Sequence, residues 1–317
     1  MAGLNRVLVG VLLCGLAWAT ASCGPPGNQM QNRVDALQQP LKKVVQDAVY
    51  SNSGRGPFTW GQQNNLVVEM TWSDYRHGYK PENSHRIYTI DLAGQRMRID
   101  DDTARTVALC DGSSWRFFTG GQEIKKPSDI NAETVGYAYA LETAAGEMRS
   151  LRTFLTMPFA LLDQGVTLKY MGEVAGADGG NKWNVVRATF DFAATGRLKN
   201  DEMMVYFDPG SKRVDRALFT FADAPFYGIT HWGEWSDYRK LTNGLVLAHR
   251  YDFRMTDTPG QADLGRRLTF LVSKAACNVA LPGDIYSSPT AKLPHITDQT
   301  VGAPDEKLLG PPVALPK

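Results

Sequence analysis

Histidine and carboxylate side chains are the residues of this sequence whose types could assemble a metal centre. Four of the five histidines lie in or near two similar predicted hairpins, and imidazole and carboxylate groups are common zinc ligands. The candidate set is His77, His85, His231 and His249 with Asp74 and Asp237. No two of these histidines have the spacing of a ligand pair on one element. We therefore expect no metal and no cofactor, unless the fold brings the histidines together as in a metal-dependent hydrolase.

Signatures of enzymatic catalysis are absent from the sequence. It contains no Gly-x-Ser-x-Gly elbow, phosphate-binding loop, dinucleotide fingerprint or His-Glu-x-x-His motif. The acidic run at 100–102 has the composition of a solvated turn. These observations predict a protein that is not an enzyme.

The first residues have the anatomy of a secretory signal. Arg6 precedes an apolar run at 7–18 that is too short to span a bilayer, and small residues follow. The Ala-Thr-Ala at 19–21 would permit cleavage to a soluble protein. Alternatively, Ala21 and Ser22 before Cys23 are similar to a bacterial lipobox, although Thr20 stands where such boxes usually carry leucine.

We predict that Cys23 is lipidated. An unpaired, exposed cysteine at the start of an exported protein would be a liability, and the Gly-Pro-Pro-Gly that follows is typical of a flexible tether. Several acyl chains on one residue anchor a protein stably. We expect a bacterial cell-envelope protein at the outer membrane, facing the periplasm. Gly24, rather than aspartate, supports outer-membrane sorting by analogy with enteric bacteria.

Charge and cysteine content restrict the possible partners further. Without Arg6, the mature chain has 33 cationic and 33 acidic side chains, which argues against nucleic acid as a partner. Beyond the signal and Cys23, the remaining cysteines are Cys110 and Cys277. In an oxidising compartment they are predicted to form a disulfide, with two buried free thiols as the alternative.

Hydrophobic periodicity divides the chain into strands and helices. Helical spacing precedes Ser51, with the main helix starting at Pro40, and a second helical region is predicted at 142–162 with a break at Pro158. Strict alternation and short turns predict an antiparallel meander on either side of that second region. The predicted strands lie at 66–72, 85–91, 94–100, 104–110, 114–118, 166–172, 183–192, 202–208, 213–221, 230–240, 245–255 and 267–273.

Two further features concern the interior and the tail. The segment Trp-Ser-Asp-Tyr-Arg occurs at 72–76 and again at 235–239, either as a duplicated hairpin or as a chance likeness of amphipathic hairpins. The apolar stretch at 154–162 could be a lid over a cavity, or it could simply fill the core. The proline-rich tail is predicted to be largely disordered or to lie along the surface.

The order of elements resembles the LolA/LolB-like superfamily of bacterial lipoprotein-localisation factors, and more narrowly its envelope lipoproteins. The segments that carry the likeness lie at 110–115, 157–165, 195–201, 205–209, 235–239 and 244–247. This resemblance implies an α+β fold, in which a curved antiparallel half-barrel is covered by helices around an apolar cavity. It also implies a lipid or another hydrophobic ligand, and a possible envelope protein partner.

These observations give one organisation of the chain and a set of cavity candidates. We predict a signal peptide at 1–22, a tether at 23–30, a half-barrel at 31–280 and a proline-rich tail at 281–317. The predicted ligand-binding residues are Trp72, Phe117, Phe154, Met157, Phe159, Leu162, Tyr206 and Phe221. Because a shift of one residue reverses the two faces of a strand, this set depends on register. The alternative is a structural or interaction module with a filled core, whose partners would bind the tail.

Overall fold

A computed structural model gives the fold of the chain. It describes residues 26–75, 82–94, 96–111, 114–125, 141–175, 182–191, 195, 201–222, 226, 228–258 and 261–302. Cys23, His77 and the predicted signal peptide lie outside the described residues.

One antiparallel sheet of 14 strands forms the body of the molecule. The strands are β1 Asn65–Asp74, β2 Glu82–Asp91, β3 Met97–Asp101, β4 Thr106–Cys110, β5 Trp115–Thr119, β6 Gln122–Ile124, β7 Val166–Ala175, β8 Lys182–Phe190, β9 Glu202–Phe207, β10 Val214–Thr220, β11 Thr230–Leu241, β12 Val246–Thr258, β13 Gln261–Cys277 and β14 Thr300–Val301. Their order is β6-β5-β4-β3-β2-β1-β13-β12-β11-β10-β9-β8-β7, and β14 pairs with β11. Because β6 and β7 do not pair with each other, the curved sheet is unclosed, and the predicted half-barrel is confirmed.

The two faces of the sheet differ in the way that the alternation predicts. On β1, Leu66, Val68, Met70 and Trp72 are buried in the main apolar core, and we call the face that they share the inner face. Val67 points the other way and belongs to a separate small cluster on the outer face.

In the ranges described above, four helices and a short 3-10 helix accompany the sheet. The helices are α1 Pro26–Ala36, α2 Leu41–Ser51, α3 Pro57–Gly61 and α4 Leu141–Leu155, and the 3-10 helix is Phe159–Leu162. The start of α2 after Pro40 and the interruption at Pro158 agree with the sequence analysis. In contrast, α1 begins inside the segment predicted to be a tether. Within the described residues, no helix has both the length and the apolar character needed to cross a membrane.

The segment 278–302, which we call the strap, lies along the outer face of the sheet. Arg98 of β3, only 2% exposed, makes two hydrogen bonds of 2.7 Å to Asp100 and donates to the strap carbonyls of Ile285, Ser288 and Pro289. Burial raises the pKa of Asp100. Of the two predicted conformations of the tail, residues 281–302 show the surface-bound one.

The carboxyl-terminal end of the strap is held by a side-chain amide that bonds the backbone of β13 as a neighbouring strand would. The amide of Gln299 accepts from the backbone N–H of Cys277 at 3.0 Å and donates to its carbonyl at 3.1 Å. Ile296 packs against Val67 and Ala276 on the outer face, and β14 then pairs with the end of β11. The strap therefore covers part of the outer face, opposite the helices.

Candidate functional site

Helix α4 crosses the inner face, and Phe154 fixes its carboxyl-terminal end. The Phe154 ring is 1% exposed and is surrounded by five other rings, with centroid separations of 4.8 to 5.7 Å. These rings belong to Phe219, Phe221, Phe226, Trp235 and Phe253. Aromatic rings at such separations attract each other beyond their burial of apolar area. This end of the helix is thus packed onto β10, β11 and β12.

The packing around Phe154 depends on a glycine in the sheet. A Cβ added to Gly233 of β11 would lie 2.9 Å from the rings of both Phe253 and Trp235. Trp235 also donates from its indole Nε1 to the carbonyl oxygen of Phe154 at 3.4 Å. The absence of a side chain at Gly233 therefore leaves room for the two rings that contact Phe154.

The middle of α4, seven residues before Phe154, is held by a buried polar cluster. Glu147 Oε1 accepts from Arg86 at 2.9 Å and from the Tyr88 hydroxyl at 2.6 Å, and Arg86 also donates to Asp101 at 2.8 Å. All four residues are at most 7% exposed. The Arg86 guanidinium lies 3.9 Å from the centroid of the Trp72 ring, within cation–π range. Charge and hydrogen bonding thus attach α4 to β2 and β3.

The remaining cover of the interior is assembled from short helices. Trp60 of α3 stacks on Phe159 of the 3-10 helix, with centroids 4.3 Å apart and planes 2° from parallel. Arg33 of α1 donates to the carbonyl of Leu162 at the end of the 3-10 helix. Among the residues that the structure describes, the cover of the inner face therefore consists of separate helical pieces.

Seven of the eight predicted ligand-binding residues lie in the main core on the helix-covered side of the sheet. They are Trp72, Phe117, Phe154, Met157, Phe159, Leu162 and Phe221. Tyr206 does not, because Val205 and Phe207 of β9 point inward and Tyr206, between them, points outward. Its ring packs against Trp232 at 5.5 Å. The register of β9 was assigned to the wrong face, whereas ligand binding by the other seven remains a prediction.

The predicted disulfide between Cys110 and Cys277 is wrong, because the two buried cysteines lie on strands that are far apart in the sheet. They lie in one cross-strand row, Cys110–Met97–Ile90–Leu66–Cys277, and three strands separate them. Four inter-strand steps of about 4.8 Å place them about 19 Å apart along the sheet. A disulfide needs Cα atoms within about 7 Å. The alternative of two buried thiols is the one observed, and burial raises the pKa of Cys277 to about 12.

The described histidines are dispersed over the fold. His85 on β2 contacts Glu69 and Asp102, His231 stacks on Phe219 of the core, and His249 of β12 faces the strap. Across the described ranges, no group of three or more His, Cys, Asp or Glu side chains is placed to hold a metal ion.

The two Trp-Ser-Asp-Tyr-Arg segments, at 72–76 and 235–239, have one common feature, since Trp72 and Trp235 both point inward.

Arg86 and Glu147 are the interior residues that sequence reasoning missed. The signal was present, because Arg86 alternates with the inward-facing Tyr88 and Ile90 on β2. Glu147 likewise lies beside Met148 and Leu151 on the buried side of α4. A charged residue in an apolar alternation is usually assigned to solvent, and only the fold shows that these two charges pair with each other.

Comparisons with known proteins give similarity at the level of structure only. The structure is similar to that of a LolA superfamily protein from Nitrosomonas europaea, with 10% identity, 78% of this chain and 97% of that chain covered, and a TM-score of 0.48. It is also similar to a DUF1329 family protein from Desulfovibrio piger, with 10% identity, coverage of 80% and 100%, and a TM-score of 0.49. No family profile and no curated protein matches the chain. LolA is the superfamily that the sequence itself resembles.

Proposed function

We propose that this protein binds a hydrophobic ligand, a lipid or an acyl chain, between the inner face of the sheet and its helical cover. The observation that carries the proposal is the make-up of the interior. A curved, unclosed sheet turns one continuous apolar face toward α4 and the short helices. Ligand sites in proteins are typically concave and mostly apolar, with a few polar groups that orient the ligand.

The attachment of α4 suits a cover that admits a ligand. Phe154 at the carboxyl-terminal end of α4 is held by rings, whereas Glu147 in the middle of the helix is held by Arg86 and Tyr88. Breaking the polar attachment requires the separation of a buried ion pair but opens no large apolar surface at Phe154. We infer that the part of α4 up to Glu147 is displaced while Phe154 stays packed.

We further propose that acylation of Cys23 anchors the protein to a membrane of the bacterial cell envelope. Helix α1 begins at Pro26, three residues after Cys23. Three residues span at most about 11 Å, so an anchored chain would hold α1 close to the membrane surface. A protein held in this way acts as a receptor or sensor of lipid, because it cannot carry lipid between membranes by diffusion. We propose that the protein is not an enzyme.

A second candidate function is a structural or interaction module of the envelope with a filled core. The packing around Phe154 favours it, because the five rings around Phe154, each of which contacts at least one other, leave that side of the interior occupied by protein. In this alternative the strap and the residues after it would be the contact region for an envelope protein partner.

Binding of the neutral apolar dye N-phenylnaphthylamine distinguishes the two candidates. The full chain with Cys23→Ala, which cannot be acylated, would be titrated with the dye and then with monomyristoylglycerol. A saturable signal with one dye per protein, displaced by the lipid, is expected for a ligand in the interior. Dye fluorescence that never saturates, or that the lipid does not displace, would support the filled module.

The variant Phe58→Ser is the matched control for dye bound at the surface. Phe58 is 46% exposed and lies on α3, one of the helices that cover the inner face. Dye bound in the interior is expected to retain its affinity in this variant. Loss of the signal would assign it to the surface and contradict the proposal.

A further inference from the structure

Two buried polar atoms in the interior have no hydrogen-bond partner within the described part of the chain. They are the indole Nε1 of Trp72, a residue that is 4% exposed, and the hydroxyl of Ser150, which is fully buried. Buried donors are nearly always paired, because an unpaired donor loses its bond to water without a replacement. The two atoms therefore mark a place where a polar group from outside the protein would fit.

The path of α4 carries Ser150 over the strand that bears Trp72. Ser150 lies three residues after Glu147 and four before Phe154, so all three share one side of the helix. Glu147 contacts β2, and Phe154 contacts β12. The strands between β2 and β12 are β1 and β13, and Ser150 therefore lies over this pair. Trp72 is on β1 and stacks on Phe270 of β13 at 4.2 Å.

The echoed tryptophan shows what Trp72 lacks. Trp235 occupies the equivalent position of the second segment, also points inward, and donates its Nε1 hydrogen to the carbonyl of Phe154. Trp72 has the same donor, but its Nε1 makes no hydrogen bond with the described residues. One of the two indoles is thus satisfied by the protein, whereas the other is left open.

We propose that Trp72 and Ser150 bind the carbonyl oxygen of an uncharged ester or amide group in an acyl lipid, while its chain lies along the apolar interior. This inference rests on the proposed function and specifies its ligand. A carbonyl oxygen has two lone pairs and accepts from both groups, and both the indole and the hydroxyl can donate. The polar joint of the lipid would then lie under the middle of α4.

The charges beside the site favour an uncharged group over a carboxylate. Arg86 lies on the Trp72 ring and already donates to both Glu147 and Asp101. A fatty-acid carboxylate at Trp72 would add a third acidic group beside these two. A lipid ester or amide keeps the acceptor without the charge, and so avoids that repulsion.

Two lipids that differ in one oxygen test the proposal. The Cys23→Ala protein would be titrated with monomyristoylglycerol and with its ether analogue tetradecylglycerol, by displacement of N-phenylnaphthylamine. The ester is expected to bind about tenfold more tightly, as one or two net hydrogen bonds would give. In the double variant Trp72→Phe, Ser150→Ala this preference disappears, so that ester and ether bind with equal affinity. The ratio of the two affinities is the readout, because Trp72→Phe also removes ring atoms that pack on Phe270 and Arg86 and is expected to lower the melting temperature.

Trp235→Phe is the matched control, because it removes an indole donor that the protein itself uses. It is expected to lower the melting temperature and to leave the preference for the ester intact. Equal binding of ester and ether by the wild type, or a preference that survives in the double variant, would overturn the inference and leave the proposed function standing. Tighter binding of myristate than of the ester would overturn the choice of an uncharged group. If neither lipid displaces the dye, the proposed function fails as well.

Discussion

The indole Nε1 of Trp235 on β11 donates to the carbonyl oxygen of Phe154, the penultimate residue of α4, across 3.4 Å. Because α4 ends one residue later and residue 158 is a proline, that carbonyl has no i+4 donor, and the backbone N–H of Met157 donates to it at 3.5 Å. The sheet adds a second donor and so helps to fix the end of the helix on the inner face. The ring of Phe154, surrounded by five others, fixes the same point by packing.

Truncation of Phe154 is expected to destabilise the fold strongly. Phe154→Ala removes the centre of the ring cluster and leaves a cavity, which should cost about 3–5 kcal/mol in the free energy of unfolding. Urea unfolding followed by circular dichroism measures this value. Met171→Ala on β7, where the side chain is 43% exposed, is the control and should change the free energy by less than about 0.5 kcal/mol. Similar effects of the two variants would contradict the ring cluster as the main attachment of α4.

Arg86 and Glu147, which attach the middle of α4 to β2, should show a large coupling energy in the free energy of unfolding. Glu147→Leu leaves the buried guanidinium without one of its partners and should cost about 3–5 kcal/mol. The double variant Arg86→Met, Glu147→Leu replaces both charges by apolar groups and should recover much of that loss. A double-mutant cycle in urea gives the coupling energy. Additive effects would mean that the two side chains do not act as a pair.

Stability is expected to fall at acidic pH through His249. Its Nδ1 donates to the Leu247 carbonyl at 3.1 Å, and burial lowers the pKa of His249. The unfolded chain then binds more protons than the folded chain once the pH falls below the ordinary value of about 6.5. The contribution of this histidine is therefore complete above that pH and is lost as the pH falls through the lowered value.

The acidic loss should be smaller in His249→Gln. Unfolding free energies at neutral pH and about one unit below the ordinary histidine pKa of about 6.5 would be compared for both proteins. Arg239 adds to the lowering of the pKa, whereas Asp237 and Asp298 oppose it. Identical pH dependence in wild type and variant would show that other groups cause the loss.

The strap should depend on Arg98. Arg98→Met removes the donor to three strap carbonyls and leaves Asp100 buried without its cation, at a cost of about 3–5 kcal/mol. Limited proteolysis should then cut the strap faster. Arg187→Met on β8 breaks an exposed pair with Glu202 and should cost about 0–1 kcal/mol. Unchanged cleavage in Arg98→Met would contradict a strap held by this residue.

The two cysteines should react only when the protein unfolds. Cys110 and Cys277 are both buried, each 3% exposed or less, and three strands separate them. A thiol-specific reagent applied to Cys23→Ala is expected to modify neither thiol in the native state and both after unfolding in urea without a reductant. An unfolded protein that reacts only after reduction would show that a disulfide forms after all.

The sequence predicted the architecture well because local patterns determine it. Strict alternation on β1 and the turns between neighbouring strands were enough to identify an antiparallel meander and most strand limits. The two-residue strand β14 was missed, since so short a strand exists only through its contact with β11. The course of the strap was left undecided for a similar reason, because Arg98 and its carbonyl partners are about 190 residues apart in the chain.

The candidate site was predicted only in its apolar part. The apolar residues of α4 and the 3-10 helix face inward, because both helices, separated by the Pro break, bury their apolar sides against the sheet. Tyr206 was misplaced because alternation alone does not say which face of β9 is buried. The pairing of Arg86 with Glu147 and the unsatisfied indole of Trp72 arise from tertiary contacts, which no local pattern contains.

Native mass spectrometry of the protein gently extracted from bacterial membranes tests the central claim most directly. The wild type and Cys23→Ala would be measured side by side, before and after collisional release. We expect a covalent acyl mass on the wild type alone and a second, releasable lipid mass on both proteins. A chain that begins at Ser22 with no added mass, and that releases no lipid in either form, would contradict both the anchor and the ligand.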